Sequence, residues 1–283
     1  MTSSSSTSSS ASSSSATHPL DEALQLTASS AAVGQYEGQT HPGYWNMVGP
    51  FGGITAATLL QAILQHPDRL GEPLSLTVNF AAAVADGGFE VQADPVRTNR
   101  STQHWVVTLQ QQGEVVVTAT AITAARRTTW SVDDAPLPQV LSAAALSRRP
   151  EAPVPWIGRY DIRFAKGSLP RHWDGAESPA GTTLWVRDEP PRPLDFASLT
   201  ALSDVFFPRV WLRRATRVPA GTVSMTIYFH AGSADLAAVG EGWLLAECGA
   251  SAFRNGFSDQ HAHLWDAEGR LLVTTHQVVY YKE

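Results

Sequence analysis

Asp204 is the single charged residue in the stretch Phe196–Phe207. On so apolar a segment its carboxylate is shielded from water, and it must be hydrogen-bonded or shifted towards its neutral form. Ionised, it can take a proton from water, which is otherwise a poor nucleophile, and so serve as a general base. The plainer alternative is an Asp facing a gap at the end of the segment, beside Pro208. Gln277 stands among Leu271, Val273, Thr275 and Val279 in an alternating series, and an amide in such company needs partners. It could accept one hydrogen bond from water and donate others, orienting a nucleophile without consuming it, or it could be satisfied by backbone at a strand end. Thr222 opens another alternating run. Its hydroxyl both donates and accepts, yet β propensity alone would also place a threonine there.

Gly49-Pro-Phe-Gly-Gly53 brings the chain tightly into a helical segment. Free amides and the helix dipole there favour a negatively charged oxygen, so Gly52 and Gly53 are candidates to hold a carbonyl or a phosphate; simple packing would use the same glycines. His261 and His263 share a strand face, but no suitable third metal ligand is evident nearby. Cys248, in Trp243-Leu-Leu-Ala-Glu-Cys248, reads as a buried strand residue rather than a nucleophile. No Gly-x-Ser-x-Gly elbow occurs, which removes the usual α/β-hydrolase route to ester cleavage.

These residues sit on elements that occur twice. An uncharged helical segment, Ile54–Gln65, precedes the alternating strand Leu74–Phe80; the helix Phe196–Phe207 precedes Val223–Phe229. In each strand the apolar residues recur at the two-residue period of a half-buried strand, with Val223, Met225, Ile227 and Phe229 expected inward. Each strand is followed by a long hairpin, in which Gln103-His104 aligns with Gln260-His261 and Gly113–Thr118 with Gly269–Thr274. A helix lacking a polar face is normally surrounded by protein. The pattern predicts an α+β protein, two tandem copies of an antiparallel sheet wrapped around a central helix: a double hot dog. The alignment sets Ala121 opposite Gln277, and the first helix offers no carboxylate, so one active site per chain is expected, on the second copy.

On four motifs the chain resembles the TesB-like (type II) acyl-CoA thioesterases, over residues 34–283. They are Gly49–Gly53, Leu202-Ser-Asp204, Thr222 ahead of Phe229-His230, and Thr275-His-Gln277. The resemblance implies that Asp204, Thr222 and Gln277 hold a hydrolytic water, and that acyl-CoA is cleaved to free acid and CoA without cofactor, metal or covalent enzyme intermediate. The chain departs from the family pattern at Leu74, where a His is common, and at Ala81-Ala82 and Ala231-Gly232, where Arg-Pro pairs are common. A non-catalytic acyl-CoA or lipid-binding double hot dog is the alternative. An enoyl-CoA hydratase would need a helix-borne Asp and His pair, and the second helix has no histidine.

Composition narrows the classes. Of 283 residues, 43% are hydrophobic and 16% charged, and the net charge is −6. Scattered basic pairs on an acidic chain argue against nucleic-acid binding, and no apolar run is long enough for a membrane span. The single cysteine excludes internal disulfides and suits the cytoplasm. The expected organisation is a disordered tail over 1–30, Ser-rich at 2–17, a first hot dog over 31–130, a linker over 131–155 and a second hot dog over 156–283, in a homo-oligomer.

Overall fold

Apolar strand faces and uncharged helices must cover one another, and the computed structural model, which describes residues 17–149 and 154–283, shows how. The first half contains α1 (Pro19–Ala23), β1 (Thr27–Ala28), β2 (Gln35–Gln39), α2 (Gly52–Gln65), β3 (Glu72–Phe80), β4 (Gly88–Thr98), β5 (Thr102–Gln111) and β6 (Glu114–Ala124). The second contains β7 (Tyr160–Lys166), β8 (Thr182–Asp188), α3 (Phe196–Leu202), α4 (Arg209–Arg214) and β9 (Ala220–Phe229). It continues with α5 (Ser233–Val239), β10 (Leu244–Gly249), β11 (Phe253–Arg254), β12 (Phe257–Trp265) and β13 (Leu271–Tyr281). Neighbouring strands are antiparallel in the order β1-β2-β4-β5-β6-β3-β9-β13-β12-β10-β8-β7, so β3 and β9 join the halves into one sheet.

The sheet closes over α2 and α3, which also pack on each other. Every residue of α3 is buried, as are ten of the fourteen in α2. Their hydroxyls cost little in the apolar interior because they bond within the helix: Thr58 Oγ1 donates to the Ile54 carbonyl at 2.9 Å and Thr200 Oγ1 to the Phe196 carbonyl at 2.7 Å. Gly53 sits at the closest approach, where an added Cβ would lie 2.5 Å from the Ala201 carbonyl oxygen.

The repeat extends to its irregularities. β5–β6 slips between Leu109 and Gln110, and β12–β13 slips between Leu264 and Trp265. β3–β6 slips between Pro73 and Ser75, and β9–β13 slips where Ser224 pairs with Val278 and Thr222 with Val279. These bulges correct the expected alternation. Each extrudes one residue, Leu74 at 38% exposure and Val223 at 36%, and turns the preceding position inward. The hairpin register also differs from the aligned Gln-His pairs: Ala121 faces Trp105, while Gln277 faces Gln260.

Two boundaries are corrected as well. The tail expected to be disordered through residue 30 folds from His18 onward, since Leu20, Ala23 and Leu24 fall on one face of α1 and enter the core. Its residues 1–16 lie outside the described residues, as do 150–153 of the expected linker. The second helix ends at Leu202 rather than Phe207. Ser203 Oγ bonds back to the Leu199 carbonyl at 2.7 Å, and the Asp204 amide tightens onto Ala201. Pro208 then prevents the segment from continuing unbroken into α4.

Candidate active site

Asp204 therefore occupies the turn after α3, and its carboxylate faces the start of α2. Oδ1 accepts a hydrogen bond from Gln277 Nε2 of β13 at 2.8 Å. Oδ2 lies so close to Gly52 that a Cβ there would approach it to 2.7 Å. The Gln277 carbonyl oxygen in turn accepts from Thr222 Oγ1 of β9 at 3.2 Å, and Met225 Sδ lies 3.4 Å from its nitrogen. Three separate elements thus bring Asp204, Gln277 and Thr222 into one hydrogen-bonded series. The β9 bulge is what lets Thr222 take part, because without it Val223 would hold the inward position.

Gly52 closes on the Asp204 carboxylate and the Gly53 amide donates to it, so the oxygen at this helix N-terminus is one of the protein's own. The carboxyl is pushed up to about 7 from its ordinary value by burial, while hydrogen bonds from Gln277 and the Gly53 amide pull the other way. Such a group is half ionised near neutrality, where a general base works best. What these residues can do together is hold a water against a carboxylate able to take its proton.

The opposite strand carries residues that the sequence reading missed. Gln260, buried and directly across from Gln277, has a side-chain oxygen with no protein partner. Ser258 Oγ and Thr275 Oγ1, on the same inward face, are also unpartnered. Buried polar atoms seldom remain unsatisfied, so this patch has hydrogen-bonding capacity left for water or substrate. Its signal was the alternation Ser258, Gln260, Ala262, Leu264, a polar start to an otherwise apolar face.

His261 and His263 point to the other side of β12, where they line a cavity of ≈ 910 Å³ with Lys166, Glu247 and the segment 167–179. That cavity reaches Cys248 but none of Asp204, Thr222 and Gln277. Converging side chains, not an open cavity, therefore locate the candidate chemistry. Among the described residues no three His, Cys, Asp or Glu side chains are grouped to hold a metal. Burial pushes the Cys248 thiol up to about 11, leaving little thiolate at neutral pH.

Among the described residues the first half carries no counterpart. Through the matching bulges Pro73 stands where Thr222 does, and Ala121 stands where Gln277 does. Asp204 comes nine residues after its N-cap Asp195; the same count from the α2 N-cap Phe51 reaches Leu60. Trp105, whose indole donates to Thr123 Oγ1 at 3.0 Å, fills the space across from Ala121.

Comparison with known proteins agrees with this architecture. A family model described as the acyl-CoA thioesterase N-terminal domain matches residues 41–124, and one described as the acyl-CoA thioesterase C-terminal domain matches 134–281. A hot-dog protein of unknown function from Alicyclobacillus acidocaldarius is 46% identical, over 95% of this chain and 99% of that one, with a TM-score of 0.89. The tesB protein of Mycobacterium avium subsp. paratuberculosis is 16% identical over 93% of this chain and 98% of that one, at a TM-score of 0.77. The acyl-CoA thioesterase II TesB2 of Mycobacterium marinum is 19% identical over the same shares, at 0.73. At these last identities the likeness is one of fold. No curated protein sequence matches the chain significantly.

Proposed function

This chain belongs to the acyl-CoA thioesterase family, and from that premise we propose that it hydrolyses an acyl-CoA thioester to free acid and CoA with Asp204 as the general base. The observation that supports this most is the series Thr222–Gln277–Asp204, drawn from three elements onto a carboxyl titrating near neutrality. Thr222 and Gln277 orient the water and Asp204 takes its proton as the oxygen attacks the thioester carbonyl. The C–O bond forms, charge develops on the carbonyl oxygen near the α2 amides, and the C–S bond then breaks. The departing CoA thiolate takes the proton back from Asp204. We place this activity in the cytoplasm, in fatty acid metabolism, in a homo-oligomer; among the described residues no helix is long and apolar enough to cross a membrane.

Two expected outcomes test the assignment. Because the base must be ionised, kcat/KM rises with pH through about 7 and falls by about tenfold per unit below it. A flat profile between pH 5 and 8 would exclude Asp204 as the base. Because the first half lacks all three polar groups, titration with a non-hydrolysable acyl-CoA analogue saturates at one equivalent per chain. Calorimetry showing two equal sites would overturn the assignment of a single site to the second half.

A further inference from the structure

Four buried polar atoms that lie near one another have no protein partner: Tyr160 Oη, Tyr44 Oη, Asp188 Oδ1 and Arg192 Nη1. They are neighbours in space although they come from three separate stretches of the chain. Tyr160 and Asp188 are directly paired across β7 and β8, so their side chains share the inward face. The Tyr44 ring meets Tyr160 edge-on, with centroids 6.3 Å apart. Tyr160 also meets, at 6.1 Å, the ring of Phe51, which leads into the Gly52–Gly53 turn against Asp204.

The far end opens to solvent. Asp188 uses its other oxygen to accept from Ser198 Oγ of α3. Arg192 binds Asp21 at 2.8 Å and Asp195 at 2.9 Å through one nitrogen and leaves the other unpaired. It lines a surface cleft of ≈ 690 Å³ with His18, Asp21 and Asp195. Burial pushes Asp188 up to about 6 against the pull of Ser198, Arg192 and His18, with Asp195 raising it further. Tyr44 faces Asp188, Arg159, Arg192 and Asp21, and burial holds its phenol far above neutrality, so it stays protonated. Tyr160 is held protonated in the same way, by burial and by Tyr44, Asp188 and Asp204.

Hydrolysis makes such a line useful. Once the thiolate has taken back the first proton, the products are CoA thiol and a carboxylic acid; at neutral pH that acid ionises, and the proton it gives up passes to Asp204, a carboxyl only 8% exposed. Phenols pass a proton by accepting one hydrogen bond and donating another, and buried unpaired groups are commonly bridged by ordered water. We propose that Tyr160, Tyr44 and Asp188, bridged by buried water, form a relay that carries the product proton from Asp204 to solvent at the Arg192 cleft. The relay rests on the hydrolytic role of Asp204 given above. Its members are positioning residues that touch no substrate.

The test compares Tyr160→Phe, which keeps the ring packing, and Asp188→Asn, which keeps the contact with Ser198, with the wild-type protein on one acyl-CoA. For each variant kcat is expected to fall on the order of 10-fold with KM nearly unchanged. The solvent deuterium isotope effect on kcat should rise, and Asp188→Asn should remove a titration near pH 6 from the profile. Wild-type kcat, or a lower kcat with unaltered isotope effect and pH profile, would overturn the relay while leaving hydrolysis standing. A wild-type protein that releases no CoA thiol would instead overturn the hydrolytic reading. A high-resolution crystal structure then decides separately, and also covers a variant that fails to fold. Water joining Tyr160 Oη to Asp188 Oδ1 supports the conduit, and a dry gap between them excludes it.

Discussion

Asp204→Asn lowers kcat on the order of 10²-fold or more while the protein stays folded. The amide matches the carboxylate in size and can still accept from Gln277; its NH2 end cannot accept from the Gly53 amide, so one contact is lost along with the basicity while the packing of the turn after α3 is kept. Gln277→Ala and Thr222→Ala are milder, since each orients the water without accepting its proton. Either one combined with Asp204→Asn adds little, because groups that serve a single water act as a unit. Full additivity with retained folding would assign them separate roles. The substitution also carries a stability signature of defined sign. Burial raises the native carboxyl above its unfolded value, so its contribution is complete below about pH 4 and is lost as pH rises through about 7. Asn has no such dependence. The Tm of Asp204→Asn relative to wild type should therefore climb from pH 4 to pH 8, and a constant difference would show that Asp204 is not buried against solvation.

Alanine at two adjacent glycines should separate activity from stability. At Gly53 the new Cβ meets backbone, 2.5 Å from the Ala201 carbonyl oxygen, and the Phe51 ring at the same distance. The carbonyl cannot yield without moving α2 off α3, so Gly53→Ala should cost about 1–3 kcal/mol. At about 2–4 °C per kcal/mol for a chain of this size, Tm falls by about 2–12 °C. At Gly52 the Cβ meets Asp204 Oδ2 at 2.7 Å, the end of a side chain that can rotate away, but only by leaving Gln277. Gly52→Ala therefore loses on the order of 10-fold or more in kcat with a smaller change in Tm. Thermal melts and steady-state kinetics on the two variants check this, and equal effects on both quantities would contradict it.

The sequence made the repeated architecture legible because its signals were redundant. Two helices without a charged face could only be central, and two alternating strands at matching positions could only lie over them. Asp204 and Gln277 could be singled out by residue type and Thr222 only in conjunction with them and through the family resemblance; the structure joins all three by hydrogen bonds. Bulges were invisible, because one extruded residue leaves composition unchanged. Thr222 faces inward only because Val223 is expelled, and Leu74 is expelled in the same way ahead of Leu76. The short helix α1 was hidden beside a Ser-rich leader, although Leu20, Ala23 and Leu24 already had helical spacing. The cluster of Tyr44, Tyr160, Asp188 and Arg192 was out of reach for another reason: its members lie on three separate stretches of the chain, and only strand pairing and packing bring them together.

Release of free CoA thiol on mixing the purified protein with a graded series of acyl-CoA substrates tests the central claim most directly, with Asp204→Asn measured beside it. Catalytic turnover is predicted for at least one chain length in the wild-type protein, with nearly all of it lost in the variant. Stoichiometric binding of acyl-CoA without thiol release would contradict the claim and identify a non-catalytic acyl-binding double hot dog.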